Sequence, residues 1–217
     1  IKCPEFYSYI KVTCYFILPK VLLLHEQKKI AMKKKLLSIL LIVVTNTAFS
    51  QIQFDLKKSD LKWTGSKITG QSHSGSLEVS SASLSLDDTM RPYGVFTVDM
   101  TSLTNDDLTG EWKQKLEGHL KSDDFFSVDK HPKATLIIKK MNSHSDNSYE
   151  LTGDLTIKNI THPVDFSLII YNDIVESELT FDRSKYDIQF ASGSFFENLG
   201  DNLILDKINL KITLQRL

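Results

Sequence analysis

From residue 61 to the last residue, apolar and polar residues alternate with a period of two in one segment after another. Such alternation is typical of β-strands that have one apolar and one polar face. Turn-like pairs such as Asp87-Asp88 and Asn172-Asp173 separate the segments. About eight or nine short strands at hairpin spacing predict an antiparallel sandwich or barrel. The alternating segments are 61–63, 77–79, 82–86, 94–100, 134–138, 149–157, 164–170, 175–181 and 208–214.

Two segments depart from this pattern. Apolar residues recur at every fourth position over 106–120, which predicts one amphipathic helix in a long connection. We expect Asp106, Asp107 and Glu111 to be favourable charges near the N-terminus of this helix. Residues 194–199 predict a second helical turn that ends at Gly200. The apolar positions of the first helix are Leu108, Trp112, Leu116 and Leu120.

The charges are distributed unevenly along the 217 residues. Residues 1–50 contain eight Lys or Arg and two Asp or Glu, whereas residues 51–217 contain 18 basic and 25 acidic residues, a net charge of −7. Only three of the basic residues after position 50 are arginines. Binding to nucleic acid or to an anionic membrane surface needs clustered positive charge, which this part of the chain lacks. The composition therefore excludes nucleic acid as a partner.

Residues 32–50 have the layout of a secretory signal peptide. Met32 is followed by three lysines, by the apolar stretch 36–44, and by Ala48-Phe49-Ser50, which fits a small-x-small cleavage site. We expect cleavage after Ser50, a periplasmic or secreted protein without stable membrane insertion, and a barrel domain over 51–217. Residues 1–31 are expected to be an upstream extension of the gene model. Both cysteines lie there, so the expected mature chain has no disulfide.

No metal or cofactor site is predicted. The histidines after position 50 show no H-x-H or H-x-x-x-H spacing, and no cysteine is available to complete a zinc site. Asp123 and Asp124, expected in a turn, do not match a calcium-binding loop, and neither do the acidic residues of 106–111. A G-x-S-x-G elbow, a P-loop and a G-x-G-x-x-G fingerprint are also missing from the sequence. The histidines are His73, His119, His131, His144 and His162.

Several motifs in order along 53–217 together resemble the YceI-like family. No single motif is diagnostic, but about six in register are specific. They are Gly65-Ser66-Lys67-Ile68-Thr69-Gly70 with His73-x-Gly75, Val98-Asp99-Met100-Thr101-Ser102-Leu103, His119-Leu120-Lys121-Ser122-Asp123-Asp124-Phe125-Phe126 with His131-Pro132-Lys133-Ala134, Gly153-Asp154-Leu155-Thr156-Ile157-Lys158 with Thr161-His162-Pro163-Val164, Asp182-Arg183-Ser184-Lys185-Tyr186, and Ser192-Gly193-Ser194-Phe195-Phe196 with Leu199-Gly200-Asp201.

The resemblance implies an extended, lipocalin-like antiparallel β-barrel of about eight strands whose apolar tunnel holds a polyisoprenoid-type lipid, such as an isoprenoid quinone. His73, His119, Asp182 and Arg183 are candidates for a polar mouth, with an internal Asp182–Arg183 ion pair as one reading of the last two. The candidate tunnel residues, which lie on the inward phase of the strands, are Phe96, Val98, Leu136, Ile138, Gly153, Leu155, Ile157, Phe166, Leu168, Leu179, Phe181, Leu210 and Ile212.

The sequence leaves three readings of the inward face open. In the first, small residues at Gly94, Gly153 and Ser177 leave room for a bound lipid, and the protein is a carrier without catalysis. In the second, the barrel is an enzyme acting on a lipidic substrate, although no inward phase contains two facing titratable groups. In the third, the apolar residues fill an ordinary core and the protein is a structural envelope module. The oligomeric state, a homodimer included, is also open.

Overall fold

Nine antiparallel strands contain most of the residues that the structure describes. The computed structural model describes residues 50–217 and, before them, Lys29. The predictions for residues 1–31 and for the signal peptide lie outside the described residues, apart from Lys29 and Ser50. The strands are β1 (Ser50–Ile52), β2 (Phe54–Ser66), β3 (Ser72–Leu86), β4 (Pro92–Asn105), β5 (Lys133–Ser145), β6 (Ser148–Ile157), β7 (Ile160–Ile170), β8 (Ile174–Asp182) and β9 (Lys207–Arg216).

The sheet closes on itself. From β2 to β9 each strand pairs with the next one in the sequence, and β9 pairs back with β2, where Leu61 lies opposite Ile212. The short strand β1 adds to the end of β3, with Ser50 opposite Leu86. The predicted antiparallel barrel of about eight strands is therefore confirmed. Closure leaves no strand of the barrel with an unpaired edge.

The period-two pattern directs alternate side chains into the barrel. In β6, Tyr149, Leu151, Leu155 and Ile157 are at most 6% exposed and Gly153 is buried with them, while the residues of the opposite phase are partly or fully exposed. Burying an aliphatic or aromatic side chain of this size contributes about 1.5–3 kcal/mol. The inward faces of the eight strands therefore supply most of the stabilisation of the barrel.

β3 is one strand, although its sequence predicts two. Leu77 and Val79 belong to one alternating phase, and Ala82 and Leu84 belong to the other. The pairing with β4 shifts register beside Ser80, and this bulge inserts one extra residue. A bulge resets the alternation and bends the strand, so both phases face the interior.

The helix begins later than predicted. α1 (Gly110–Lys121) is the one α-helix with described bounds, and Glu111 alone of the three expected acidic residues lies in its first turn. Asp106 and Asp107 precede the helix, so their interpretation as helix N-terminal charges was wrong. Trp112 was also misplaced, because 72% of its surface is exposed.

The carboxylate groups before α1 bind the barrel rather than the helix. Asp106 Oδ2 lies 2.8 Å from the amine of Lys62 and accepts a 2.6 Å hydrogen bond from Ser76 Oγ. These two bonds hold the pKa of Asp106 below its usual value, and the bond from Lys62 has the larger effect. Asp107 makes comparable contacts with β3 that are described below.

No described helix is long and apolar enough to cross a membrane.

The expected helical turn over 194–199 is not helical. The amides of Phe195 and Phe196 both donate to the carbonyl of Ser192, and Asn198 adopts a left-handed backbone conformation with φ of 60°. A 3-10 turn follows only at Gly200–Asn202. A left-handed residue interrupts the run of right-handed conformations that a helix requires.

The two ends of the barrel differ in the length of their connections. One end, called here the turn end, carries the short turns 87–91, 146–147 and 171–173. The opposite end, called the helix end, carries the hairpin 67–71, the connection 106–132 with α1, the turn 158–159 and the connection 183–206. A 3-10 helix, Arg183–Tyr186, opens that last connection.

Gly75 provides a test of the strand packing. A Cβ atom there would lie 1.8 Å from the carbonyl oxygen of Thr104 and 2.6 Å from the indole Nε1 of Trp63, which donates to the same oxygen. We expect Gly75→Ala to lower the free energy of unfolding by about 1–3 kcal/mol in urea titration. The matched control is Gly118→Ala in α1, where the Cβ meets no atom within 4 Å. Stabilisation of about 0.5–1 kcal/mol is expected there. Equal effects of the two substitutions would contradict the packing described.

Candidate ligand cavity

The barrel encloses an elongated cavity of about 420 Å³. Its wall is almost entirely aliphatic and aromatic, with contributions from β2 to β9, α1 and the connection 183–206. The volume falls in the range of roughly 300–1,000 Å³ that is typical of small-molecule sites. Wall residues such as Phe96, Val98 and Leu136 point inward and are nevertheless only partly buried, since the cavity leaves part of their surface uncovered.

The structure places eleven of the thirteen predicted tunnel residues together on the cavity wall. They come from the six strands β4 to β9 and are brought together only by closure of the barrel. They are Phe96, Val98, Leu136, Leu155, Ile157, Phe166, Leu168, Leu179, Phe181, Leu210 and Ile212.

Ile138 and Gly153 do not line the cavity, contrary to the prediction. The two residues are paired across β5 and β6 and are buried in the packed core. A Cβ at Gly153 would lie 2.8 Å from the carbonyl oxygen of Ile137 and 3.0 Å from side-chain carbons of Leu136 and Phe166. The glycine thus allows neighbouring atoms to approach closely, and it leaves no vacancy.

Two further small residues of the inward phase have different roles. Gly94 lies outside the cavity wall, and a Cβ there would lie 2.2 Å from the carbonyl oxygen of Ser83. Ser177 does line the cavity, and its hydroxyl donates a 2.7 Å hydrogen bond to the carbonyl of Ser167. The space therefore does not come from missing side chains at Gly94 or Gly153. An eight-stranded barrel is wide enough to hold a small ligand when its inward side chains do not meet across the axis.

The cavity is closed at the turn end and open at the helix end. Leu84 and Leu151 are fully buried in the turn-end halves of their strands and do not line the cavity. The wall residue Leu214, near the same end, is only 2% exposed. At the helix end, Gln71 and Phe190 are exposed and also line the cavity. The opening between the hairpin 67–71 and the connection 183–206 is called the mouth below.

His73 lies on the wall near the mouth and is paired with a carboxylate. Its Nδ1 lies 2.7 Å from Asp107 Oδ2. The other carboxylate oxygen, Oδ1, accepts hydrogen bonds from the amide of Ser74 at 2.9 Å and from Asn105 Nδ2 at 2.5 Å. Burial would raise the pKa of Asp107, but the bonds from Ser74, His73 and Asn105 together outweigh burial and lower it. Asp107 is therefore ionised at neutral pH.

His119, another predicted mouth residue, also lines the cavity. Its ring packs edge-on against Phe125 at 5.1 Å and against Phe190 at 4.4 Å between centroids. Its Nε2 lies 3.8 Å from a carboxylate oxygen of Asp124, which is in a turn as expected. Aromatic packing at the mouth is thus its main set of contacts.

The remaining histidines are apart from one another. His144 is exposed and stacks on Tyr149 at 5.3 Å, and His162 packs edge-on against Tyr186 at 5.4 Å. His131 has a buried Nδ1 without a hydrogen-bond partner among the described residues. Within residue 29 and residues 50–217, no three His, Cys, Asp or Glu side chains are grouped so that they could hold a metal ion.

The expected Asp182–Arg183 ion pair is replaced by a different one. The guanidinium of Arg183 lies 3.3 Å from Asp206 Oδ1. Asp182 instead accepts hydrogen bonds from the amide of Ser184 at 3.1 Å and from its hydroxyl at 2.6 Å, which caps the 3-10 helix. Asp182 does not line the cavity. The antiparallel register of β8 and β9, in which Asp182 lies opposite Lys207, brings Asp206 to Arg183, and no local sequence pattern indicates this partner.

Arg183 holds the connection 183–206 in place. It is 1% exposed, and its guanidinium donates to the backbone carbonyls of Phe190 at 2.9 Å, Ile204 at 3.1 Å and Ile188 at 3.2 Å. Burial lowers the pKa of Arg183, and Asp206 partly opposes the shift. Because its donors are engaged by backbone, Arg183 shapes the mouth and is not free to orient a headgroup.

Several wall residues were missed from the sequence because they lie in connections. Leu116 and Leu120 come from α1, Phe125 and Phe126 from the turn after it, and Ile204 from the connection 183–206. Alternation carries no information about such segments. The Phe125-Phe126 pair lies within a family-like motif, and this was the sequence signal that could have placed the two residues on the wall.

The family model for the YceI-like domain matches residues 45–216. The chain therefore belongs to the YceI-like family, as the resemblance implied. No curated protein matches it significantly.

Two solved structures share its fold. Burkholderia cenocepacia BcnA is 20% identical, with a TM-score of 0.61 over 75% of this chain and 99% of that chain. A polyisoprenoid binding domain from Saccharophagus degradans, implicated in plant cell wall breakdown, is 14% identical, with a TM-score of 0.54 over 77% of this chain and 98% of that chain.

The role of Arg183 can be tested by removing its charge. Arg183→Met would leave the carboxylate of Asp206, 17% exposed, without its partner and four backbone carbonyls without this donor. We expect a loss of about 3–5 kcal/mol of unfolding free energy in urea titration. The exposed Arg91→Met is the control and should change stability by less than about 0.5 kcal/mol. Adding Asp206→Asn to Arg183→Met should recover part of the loss, and no recovery would contradict the ion pair.

Proposed function

We propose that the protein is a carrier that holds a polyisoprenoid-type lipid inside the barrel for transport, storage or sequestration. The observation that supports this most directly is the apolar cavity with one closed and one open end. A long apolar chain matches the wall, and a polar headgroup matches the position of His73 at the mouth. A structural relative described as a polyisoprenoid binding domain is consistent with this ligand class.

The size of the cavity favours an occupied state. Unfilled volume in a protein core costs about 24 cal/mol per Å³, so some 420 Å³ left without any occupant would forgo roughly 10 kcal/mol. A whole domain is stable by only about 5–15 kcal/mol. A third reading, a structural module with a filled core, is at odds with a cavity of this size.

The ligand chain supplies binding energy in proportion to its length. Each buried methylene contributes about 0.8 kcal/mol, against an ordering cost for a flexible chain. A chain long enough to line the cavity from mouth to closed end therefore binds well without specific polar contacts. This reasoning selects long apolar chains as a class, and the family membership points to isoprenoid chains within it.

An enzyme acting on a lipidic substrate is the other candidate, and one observation bears on it. The sequence indicated no facing titratable groups on the inward face, but His73 and Asp107 are paired beside the cavity. The pair can hold or accept a proton, yet a reaction needs further groups around the reacting atom. We favour binding because the apolar wall accounts for nearly all of the site.

Export from the cytoplasm completes the proposal. The basic and apolar layout of 32–50 supports a signal peptide, and the family membership supports a periplasmic location. Outside the cytoplasm, a lipid carrier would shield an insoluble chain from water while the chain moves between two membranes or along one membrane.

Blocking the cavity tests the carrier function. Val98→Phe adds bulk to a partly uncovered wall residue, so we expect the variant to stay folded and to lose the lipid that the wild type retains. Val95→Phe is the control on the outer face of the same strand, where the side chain is 43% exposed, and it should retain lipid. The measurements are mass spectrometry of organic extracts from protein purified without detergent, together with unfolding free energies.

A particular pair of results would contradict the carrier function. If wild type carries no lipid and binds no added isoprenoid, while Val98→Phe is destabilised by about 1–3 kcal/mol or more, the interior is already full.

Export can be tested by expression from Met32. We expect the mature protein to begin at Gln51 and to fractionate with the periplasm or the medium. Replacing Leu40 and Leu41 by arginine interrupts the apolar stretch and should retain the precursor inside the cell. N-terminal sequencing that returned an intact leader on the exported wild type would overturn the predicted cleavage.

A further inference from the structure

We propose that His73 and Asp107 form a headgroup subsite that selects lipids carrying a hydroxyl donor, either a prenol or the reduced, hydroquinone form of a prenylquinone. In this subsite His73 Nε2 accepts the hydrogen bond of the lipid hydroxyl. The inference deepens the proposed function and rests on it, since the chain must occupy the cavity for its polar end to reach His73.

The first step of the argument is the tautomer of His73. An ionised carboxylate can only accept hydrogen bonds, so the contact of 2.7 Å between Asp107 Oδ2 and His73 Nδ1 places a proton on Nδ1. The ring nitrogen that remains for a ligand is Nε2. In the neutral ring this nitrogen carries a lone pair and accepts, so it favours a hydroxyl over a carbonyl or ether oxygen.

The second step is the rigidity of the pair. Asp107 is anchored by the amide of Ser74 and by Asn105, which is fully buried. Asn105 is itself held in place, because its side-chain Oδ1 accepts a hydrogen bond from the backbone amide of Leu108 at 2.8 Å and its backbone N–H donates to Glu117 Oε1 at 2.8 Å. The network connects β3, β4 and α1. It therefore positions the imidazole before a ligand arrives, as selective binding requires.

The third step is location. His73 lies on the wall of the cavity, and Gln71, two residues away in the same alternating phase, is exposed at the mouth. A lipid whose chain points towards the closed end leaves its polar end at this level. The hydroxyl and the acceptor therefore meet at the boundary between the apolar wall and solvent.

The structure also predicts how to remove the selectivity while keeping the histidine. Two donors, the Ser74 amide and Asn105 Nδ2, point at Asp107 Oδ1. In Asp107→Asn they require the amide oxygen at that position, so the amide nitrogen faces His73. That nitrogen donates to Nδ1 and moves the ring proton to Nε2. The subsite then becomes a donor, which carbonyl, ether and hydroxyl oxygens can all accept, so the preference for a hydroxyl should be lost.

The test compares probes that share one isoprenoid chain and differ only in the headgroup. The C20 prenol geranylgeraniol, its methyl ether and its aldehyde form one set, and a C20-prenylated hydroquinone and the matching benzoquinone form the other. With delipidated wild type, we expect the prenol to bind about three- to tenfold more tightly than the ether or the aldehyde. A similar preference for hydroquinone over quinone would identify the reduced quinone as a second source of the hydroxyl.

The variants separate the subsite from general effects. Asp107→Asn should abolish the preference for the prenol over the aldehyde and the ether, and His73→Leu should also make all three probes of the first set bind equally. Asp106→Asn is the matched control: this neighbouring carboxylate contacts Lys62 and Ser76 instead, so the wild-type order should be kept. Thermal unfolding identifies a variant that does not fold. If Asp107→Asn fails to fold, His73→Leu alone tests the subsite.

The failures of the two proposals are distinguishable. Equal binding of all probes to wild type overturns the subsite and leaves the carrier function standing. Tighter binding of the aldehyde or quinone to wild type also overturns it, since His73 would then be donating. If folded His73→Leu still prefers the prenol, another residue causes the selectivity, and the proposed subsite is overturned. Absence of binding for every probe to folded wild type overturns the carrier function itself, and the subsite with it.

Discussion

Backbone pairing around the closed barrel is the constraint on which the other features depend. Once β9 pairs with β2, every strand has a neighbour on both sides, and the pleat then directs alternate residues into a common interior. The diameter of that interior follows from the number of strands and their stagger, whereas its filling depends on the side chains. At the turn end, Leu84 and Leu151 fill it. Towards the helix end the side chains line the wall without meeting across it, and the cavity results.

Alternation predicted an antiparallel sandwich or barrel, the family resemblance selected the barrel, and the inward phase of the strands located eleven of the wall residues. Phe96, Val98 and Leu136 were correctly placed on the wall because the phase of a strand is a local property of the sequence. The structural role of a glycine in that phase, by contrast, depends on residues that are distant in the sequence. Gly153 has the same pattern whether it creates a vacancy or allows a close approach, and only the positions of Leu136 and Phe166 decide between the two.

The mouth was the least predictable part because its contacts join distant segments. Arg183 is bound by carbonyl groups up to 22 residues away and by Asp206, and the carboxylate of Asp107 contacts a histidine 34 residues earlier. A run of apolar residues reports which face is buried, but it does not report which partner a charged side chain finds. The sequence therefore marked His73, His119 and Arg183 as residues of interest and was wrong about the partner of Arg183.

The closed turn end also has a consequence for kinetics. A chain that enters a passage with one opening goes in tail first and must withdraw along the same path, so each further methylene in contact with the wall slows its departure. At about 0.8 kcal/mol per methylene, residence time would grow steeply with chain length. That growth stops once the tail touches the residues that seal the far end, since additional carbons then remain outside. The depth of the barrel therefore sets the chain length beyond which a longer ligand gains no further residence time.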